Sequence, residues 1–416
     1  MTDDGAWHRV PPFAHGAPPI GDDGAVSFDR SHQPAELYWH AQAYPAPEDL
    51  AGREAHGGDP RLRRGATSPR AVTLVVSLLA TAVIAAVLLV LPTPYAVRTP
   101  GPTEDTLGAR GQSATEMPLI EIAGAETFPA SGELRLTTVS VYGGPGGDVL
   151  IGDVLWGWTS PERSVQPVEL VFPEPVTQEE QQEQGQAQMI SSQESATVAA
   201  LTALGYEVPT TMTVVAAAQG TGADGMVDPD DVIVAIDGEP LESYPELLTA
   251  LDAVTPGEDV VLGVERAGEP VDLTITTGEG DGRALLGVLI DPVYDFPVDV
   301  TIRIEDIGGP SAGTMFALGI IDLMTPQDEL GGAVVAGTGT MDVDGRVGPI
   351  GGIGQKMYGA QRDGAEWFLA PADNCPEVVG HEPEGLEVVS VGTLAEARTA
   401  MEAIGAGEGH DLPRCS

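Results

Sequence analysis

Val347-Gly348-Pro349-Ile350-Gly351-Gly352-Ile353-Gly354-Gln355-Lys356 contains the only lysine of the 416-residue chain. Every other cationic residue among the 19 lysines and arginines is arginine. Upstream lies Gly308-Gly309-Pro310-Ser311-Ala312-Gly313, followed by the apolar run Met315, Phe316, Ala317, Leu318 and Ile320. Arginine keeps its proton, whereas a desolvated lysine can release it. A chain that uses arginine everywhere but one position points to a titratable amine there. GC-rich coding also thins out lysine, but chance would put the survivor on this slot about once in 19 placements. Serine is a weak nucleophile that needs an adjacent base, and a neutral amine can be that base.

These two segments resemble the proteolytic domain of the Lon family, which uses a Ser–Lys dyad. The resemblance covers 294–404 and continues through Ala365-Glu366-Trp367-Phe368-Leu369-Ala370-Pro371 and Asn374. It implies Ser311 as nucleophile and Lys356 as base, with the Thr338 hydroxyl on the lysine. It also makes Gly309, Pro310 and Ala312 the oxyanion and substrate loop. Two departures stand out. Gln355 replaces the family's glutamate, and Gly337-Thr338-Gly339-Thr340 replaces M-T-G-E. The missing acids bear on substrate preference more than on the dyad. Glu305 and Asp306 precede the nucleophile loop and read as surface or loop residues.

The formal net charge is −44, with no clustered cations to hold phosphates, so nucleic-acid binding is not expected. Five of the seven histidines precede residue 57, leaving only His381 and His410 for a Ser-His-Asp triad or a zinc site. No metal or cofactor is expected. Gly354-Gln355-Lys356 lacks the spacing of a phosphate-binding loop, and ATP-driven unfolding is not expected. Oligomeric state is left open.

Residues 71–91 carry no charge. As a helix they would cover about 31 Å, enough for a hydrocarbon core of about 30 Å. Arg61, Arg63, Arg64 and Arg70 precede them, and Arg98 alone follows closely. The positive-inside rule then puts the N-terminus in the cytoplasm and the bulk of the chain outside a cell membrane crossed once. Outside, a bridge between Cys375 and Cys415, the only cysteines, can persist.

The expected architecture is α/β (α+β) and multidomain. A disordered tail at 1–70, with Tyr38, Trp39 and Tyr44 as a docking motif or isolated aromatics, leads into the membrane helix at 71–91. A strand-rich segment and a Gln/Glu-rich helix fill 98–205. Alternation over 117–172, including 165–172, reads as strands. Thr177-Gln178-Glu179-Glu180 is a capping box opening a helix that turns apolar at Met189, Ile190, Val198, Leu201 and Leu204. Residues 206–292 resemble a PDZ domain of the bacterial protease type. Gly225 through Gly238 carry that match, with Asp230 where the family usually has glycine. Such a sheet edge beside a helix can take an extended peptide as an added strand. The catalytic segment 294–404 alternates strands (333–335, 367–370) with helices, and 405–416 is a tail. The whole order resembles the membrane-anchored PDZ–Lon proteases of bacteria. That implies an ATP-independent serine endopeptidase acting on extracytoplasmic or membrane-associated proteins. A non-catalytic, membrane-anchored peptide-binding scaffold is the alternative.

Overall fold

The computed structural model describes residues 68–110, 117–172, 177–280, 283–304 and 307–416. The tail up to residue 67, with Tyr38, Trp39 and Tyr44, lies outside the described residues, as do Glu305 and Asp306.

Helix α1 (Pro69–Leu89) starts two residues before the expected span and stops two before its end. Ser68 caps it, accepting the Ala71 N–H at 3.3 Å, and Pro69 takes the first helical position. None of its residues is buried. The chain then forms β1 (Tyr95–Asp105), β2 (Ile120–Ala123), β3 (Glu133–Tyr142), α2 (Ile151–Thr159), β4 (Ser164–Pro167) and α3 (Gln178–Ala203). The PDZ-like region supplies β5 (Thr210–Ala217), β6 (Val232–Ile236), α4 (Tyr244–Asp252), β7 (Asp259–Arg266), β8 (Glu269–Thr276) and β9 (Val288–Tyr294). Last come β10 (Asp299–Ile302), α5 (Gly313–Met324), β11 (Val334–Gly337), α6 (Ile353–Arg362), β12 (Trp367–Pro371), β13 (Glu387–Val391) and α7 (Leu394–Gly405).

A six-stranded mixed sheet, β13-β12-β11-β3-β1-β4, carries the Lon-like region. Strands β3, β11, β12 and β13 are parallel, and β1 and β4 add antiparallel pairs. The sequence separates 98–205 from 294–404, but the sheet joins them: β3 from the first pairs along β11 from the second. Side chains alternate faces along each strand. Leu134, Val335, Leu369 and Val389 point toward α3, α5 and α7, while Ala336, Phe368 and Val388 point toward α6. The two clusters make a three-layer arrangement with both faces covered.

Part of the expected strand pattern is helical. In Ile151-Gly152-Asp153-Val154-Leu155-Trp156-Gly157-Trp158-Thr159, the inward residues Val154 and Gly157 follow helical spacing, and Asp153 accepts the Leu150 N–H at 3.2 Å to cap the start. The expected strand over 165–172 stops at Pro167, which has no N–H to continue a ladder, and Val168–Val171 form one helical turn. The capping box of α3 is present, Glu180 accepting the Thr177 N–H at 2.8 Å and Thr177 accepting the Glu180 N–H at 3.2 Å. Ile190, expected on the apolar face of α3, is 57% exposed.

The PDZ-like sheet is antiparallel, β8-β7-β6-β5-β9, with α4 packing Leu247 and Leu251 against Met212, Ile233, Leu262 and Ile275. Asp230 sits at φ +70°, which explains why glycine suits that position. Val198 and Leu201 of α3 join Val208, Val298 and Val343 in a small core against Tyr244 and Tyr294. Arg283 binds Asp252 of α4 at 3.0 Å and Asp344 at 2.6 Å, and Arg346 reaches Asp252 at 2.5 Å. These contacts tie the PDZ-like region to the turn between the Thr338 and Lys356 segments.

Candidate active site

Ser311 lies just ahead of α5, whose apolar sequence packs every residue from Gly313 to Asp322 into the interior. The N-cap is Ala312, with no side-chain cap bond, so the Ser311 hydroxyl is not used as a cap. Lys356 is in the first turn of α6. That helix starts after Gly352 at φ +74°, where an added Cβ would meet Val139 Cγ2 at 2.9 Å. Asn374 holds the loop before it, accepting the Ile350 N–H and donating back to the Ile350 carbonyl, both at 2.9 Å.

These elements put Lys356 Nζ 2.7 Å from Ser311 Oγ and 2.8 Å from Thr338 Oγ1. Thr338 Oγ1 donates to the Ser311 carbonyl at 2.9 Å, so its single proton is committed and it must accept from the amine. Gly339 N–H donates to the same carbonyl at 3.0 Å. Gly339 is at φ +149°, and an added Cβ would stand 2.5 Å from Thr314 Oγ1. Lys356 is 3% exposed, and burial pushes its pKa from 10.5 down to about 7. No carboxylate forms an ion pair with it among the described residues. The positive end of the α6 dipole acts in the same direction as burial.

The remaining loop residues divide. Gly309 is at φ +93°, and its N–H donates to the Gly185 carbonyl of α3 at 2.8 Å. Pro310 has no N–H, and its carbonyl accepts from Ser192 Oγ of α3 at 2.9 Å. Ala312 remains next to Ser311 at the head of α5. Sequence reasoning missed α3 as the brace of this loop. The available signal was Gly185 inside a run of good helix formers, where glycine costs about 1 kcal/mol and marks a close approach. Gly308 uses that approach: an added Cβ there would lie 3.1 Å from Gly185 Cα. Gln355, the departure from the family pattern, is buried on α6. Cys375 and Cys415 are joined, Cα to Cα 4.9 Å, linking the segment after β12 to the residues that bridge to Val389 of β13. No group of three or more His, Cys, Asp or Glu among the described residues could hold a metal ion.

Comparison with known proteins finds a match in each of the two regions. A model of the Lon protease (S16) C-terminal proteolytic domain matches residues 305–399, and a PDZ domain model matches 189–277. The Lon protease of Lachnoclostridium phytofermentans is 37% identical over 91 residues, 21% of this chain and 11% of that protein. The Lon protease of Rickettsia felis is 29% identical over 159 residues, 36% of this chain and 20% of that one. Lon protease 2 of Bacillus subtilis is 35% identical over 107 residues, covering 24% and 18%. The chain thus spans between 11% and 20% of the length of these relatives. Among solved structures, the PDZ domain of an SdrC-like protein from Listeria innocua matches at 20% identity and TM-score 0.19, covering 19% of this chain and 92% of that one.

The chain carries a Lon-type C-terminal proteolytic domain and a PDZ domain in one mixed α/β molecule. A helix long and apolar enough to cross a membrane precedes both.

Proposed function

We propose that this chain is a serine endopeptidase in which Ser311 is the nucleophile and Lys356 the general base. The observation that carries this reading is a buried amine, with pKa about 7, 2.7 Å from a serine hydroxyl that has no other structural duty as a cap. With Lys356 neutral, one N–H points to Thr338, and the lone pair can take the Ser311 proton as Oγ attacks the scissile carbonyl. The Ser311 and Ala312 N–H groups, at the positive head of α5, are the donors for the oxyanion. The ammonium then protonates the leaving amine, and water, deprotonated by the same lysine, releases the acyl group. Gly309 and Pro310 act by shaping the loop, because one N–H is taken by α3 and the other does not exist. The Cys375–Cys415 bridge is structural.

The domains act as a tail (1–70), a membrane helix (71–91), a strand-rich segment with its helix (98–205), a PDZ module (206–292), a catalytic core (294–404) and a tail (405–416). Anchored by one span with its N-terminus cytoplasmic, the enzyme cuts extracytoplasmic or membrane-associated proteins without ATP. The PDZ module recognises peptide or gates access. Its contact with Asp344 and Arg346, between the Thr338 and Lys356 segments, supports gating. Casein or self-cleavage by the full chain in detergent, compared with Ser311→Ala and with and without ATP, tests the proposal. Cleavage that survives Ser311→Ala removes the nucleophile, and no cleavage by the wild-type chain on any protein tried leaves the scaffold reading in its place.

A further inference from the structure

Helix α2 presents apolar side chains to solvent where a water-facing helix should be polar. Trp156 is 62% exposed and Trp158 63%, with Leu155 beside them on the same helix. Leu170, on the helical turn after β4, is 73% exposed. A soluble helix buries one stripe and turns charged residues outward. Here Val154 and Gly157 face the small core of Val97, Val149 and Val165, so the burial stripe is already satisfied. The only ionisable residue of α2 is Asp153, which is used to cap it. Large aromatic residues left outward in this way mark an interaction surface.

The position of these residues identifies the partner. Ile151 N–H donates to the Leu91 carbonyl at 3.0 Å, and Gly152 lies so close to α1 that an added Cβ would be 3.3 Å from the Leu89 carbonyl. Pro92 and Thr93 pair with Leu150 and Val149. The Leu170 turn is held the same way, Val168 N–H donating to the Pro94 carbonyl at 3.1 Å. Both apolar groups are therefore hydrogen-bonded to the six residues that leave α1, a stretch of at most about 20 Å when extended. Tryptophan favours the headgroup level of a bilayer, where its ring is apolar and its N–H can be wet. The Arg163 guanidinium lies 4.7 Å from the Trp156 ring centre, so a ring at the headgroup level would carry a cation with it to the lipid phosphates.

We propose that α2 and the turn at Leu170 form a foot that rests in the lipid interface, with Trp156 and Trp158 inserted at the headgroup–acyl boundary. This rests on the reading of α1 as a span. The foot would fix the height and tilt of the catalytic sheet over the membrane, because α2 is joined to β1 and β4 through Val97 and Val165. A flexible tether would leave the active site free to sweep. A fixed foot restricts cleavage to segments of a substrate at one distance from the bilayer.

The test uses the full chain reconstituted in phosphatidylcholine vesicles. A Trp156→Phe/Trp158→Phe twin is prepared in parallel, and the difference in emission isolates the two rings. Lipids brominated near the headgroup end of the acyl chain should remove most of that difference signal, lipids brominated near the chain terminus much less, and aqueous iodide little. Strong iodide quenching with none from bromolipid overturns the proposal. So does protection from both, which would mean a protein surface covers the foot. Alkaline carbonate extraction of the same vesicles tests the span separately. Protein that resists extraction but shows water-exposed rings keeps the span and loses the foot. Protein that is extracted yet was quenched by bromolipid keeps the foot as a peripheral contact and loses the span.

Discussion

The two ends of α5 hold buried charge in opposite ways. At its N-terminal end, Lys356 meets only hydroxyls, those of Ser311 and Thr338. At its C-terminal end, Asp322 and Glu329 are buried, Arg398 Nη2 lies 2.6 Å from Glu329 Oε1, and Asp322 Oδ1 accepts the Glu329 N–H at 3.2 Å. Burial pushes Asp322 up to about 6 and raises Glu329 against the pull of Arg398. Asp322 Oδ2, Thr325 Oγ1 and Glu329 Oε2 have no hydrogen-bond partner among the described residues. The same helix thus separates an amine that burial pushes toward its neutral form from a carboxylate, Glu329, paired with a cation that cannot lose its proton. The first arrangement suits proton transfer. The second anchors α7 to the end of α5 through Arg398 and Glu329.

The largest effect should come from removing the amine's chemistry while keeping its charge. Lys356→Arg should lower kcat/KM by at least about 10³-fold, as should Ser311→Ala, with little loss of helical signal. Comparable activity in Lys356→Arg would break the contrast, since arginine cannot serve as the base. Lys356→Met, which removes the charge as well, checks that overpacking by arginine is not the cause.

At the other end, Arg398→Met should destabilise by about 3 kcal/mol, because it strands the buried Glu329 carboxylate. Activity per folded molecule should not change. A denaturant midpoint equal to wild type would show that the pair contributes nothing.

The pH responses should run in opposite directions. Activity needs neutral Lys356, so kcat/KM should rise about tenfold per pH unit below 7 and level off above it. For stability, the depressed lysine means that the unfolded chain binds more protons between about 7 and 10.5, so its contribution grows as pH climbs through that window. For Asp322 the folded state binds more protons between 3.8 and about 6, so its contribution is lost as pH rises through that range. Asp322→Asn should therefore raise the melting temperature at pH 8 and have no such effect at pH 3. A stabilisation independent of pH would point to packing instead.

The smallest effect expected is from the brace. Ser192→Ala removes the bond to the Pro310 carbonyl and should cost about 1 kcal/mol. If that bond positions the nucleophile loop, kcat falls while KM holds. A loss in KM alone would place Ser192 on the substrate path.

Legibility followed how local each signal is. Lys356 stood out because it is alone among arginines, and Ser311 because glycine and proline frame it ahead of an apolar run. The cap at Thr177 was readable since it involves neighbours three residues apart. Helix α2 was misread as strand because tryptophan and valine favour strands, while the residues that make it helical do so only by packing on β1 and β4.

By itself the sequence determined the chemistry on offer: one titratable amine, one framed serine, a PDZ-type core sequence and an uncharged stretch of 21 residues. These are properties of residue type and short-range spacing. Only the tertiary structure decided that β3 joins the six-stranded sheet, that Gly185 and Ser192 of α3 hold the loop before Ser311, and that Arg398 reaches Glu329. Each of those contacts crosses tens to hundreds of residues. Its geometry depends on the packing of sheet and helices as a whole, which no local pattern encodes.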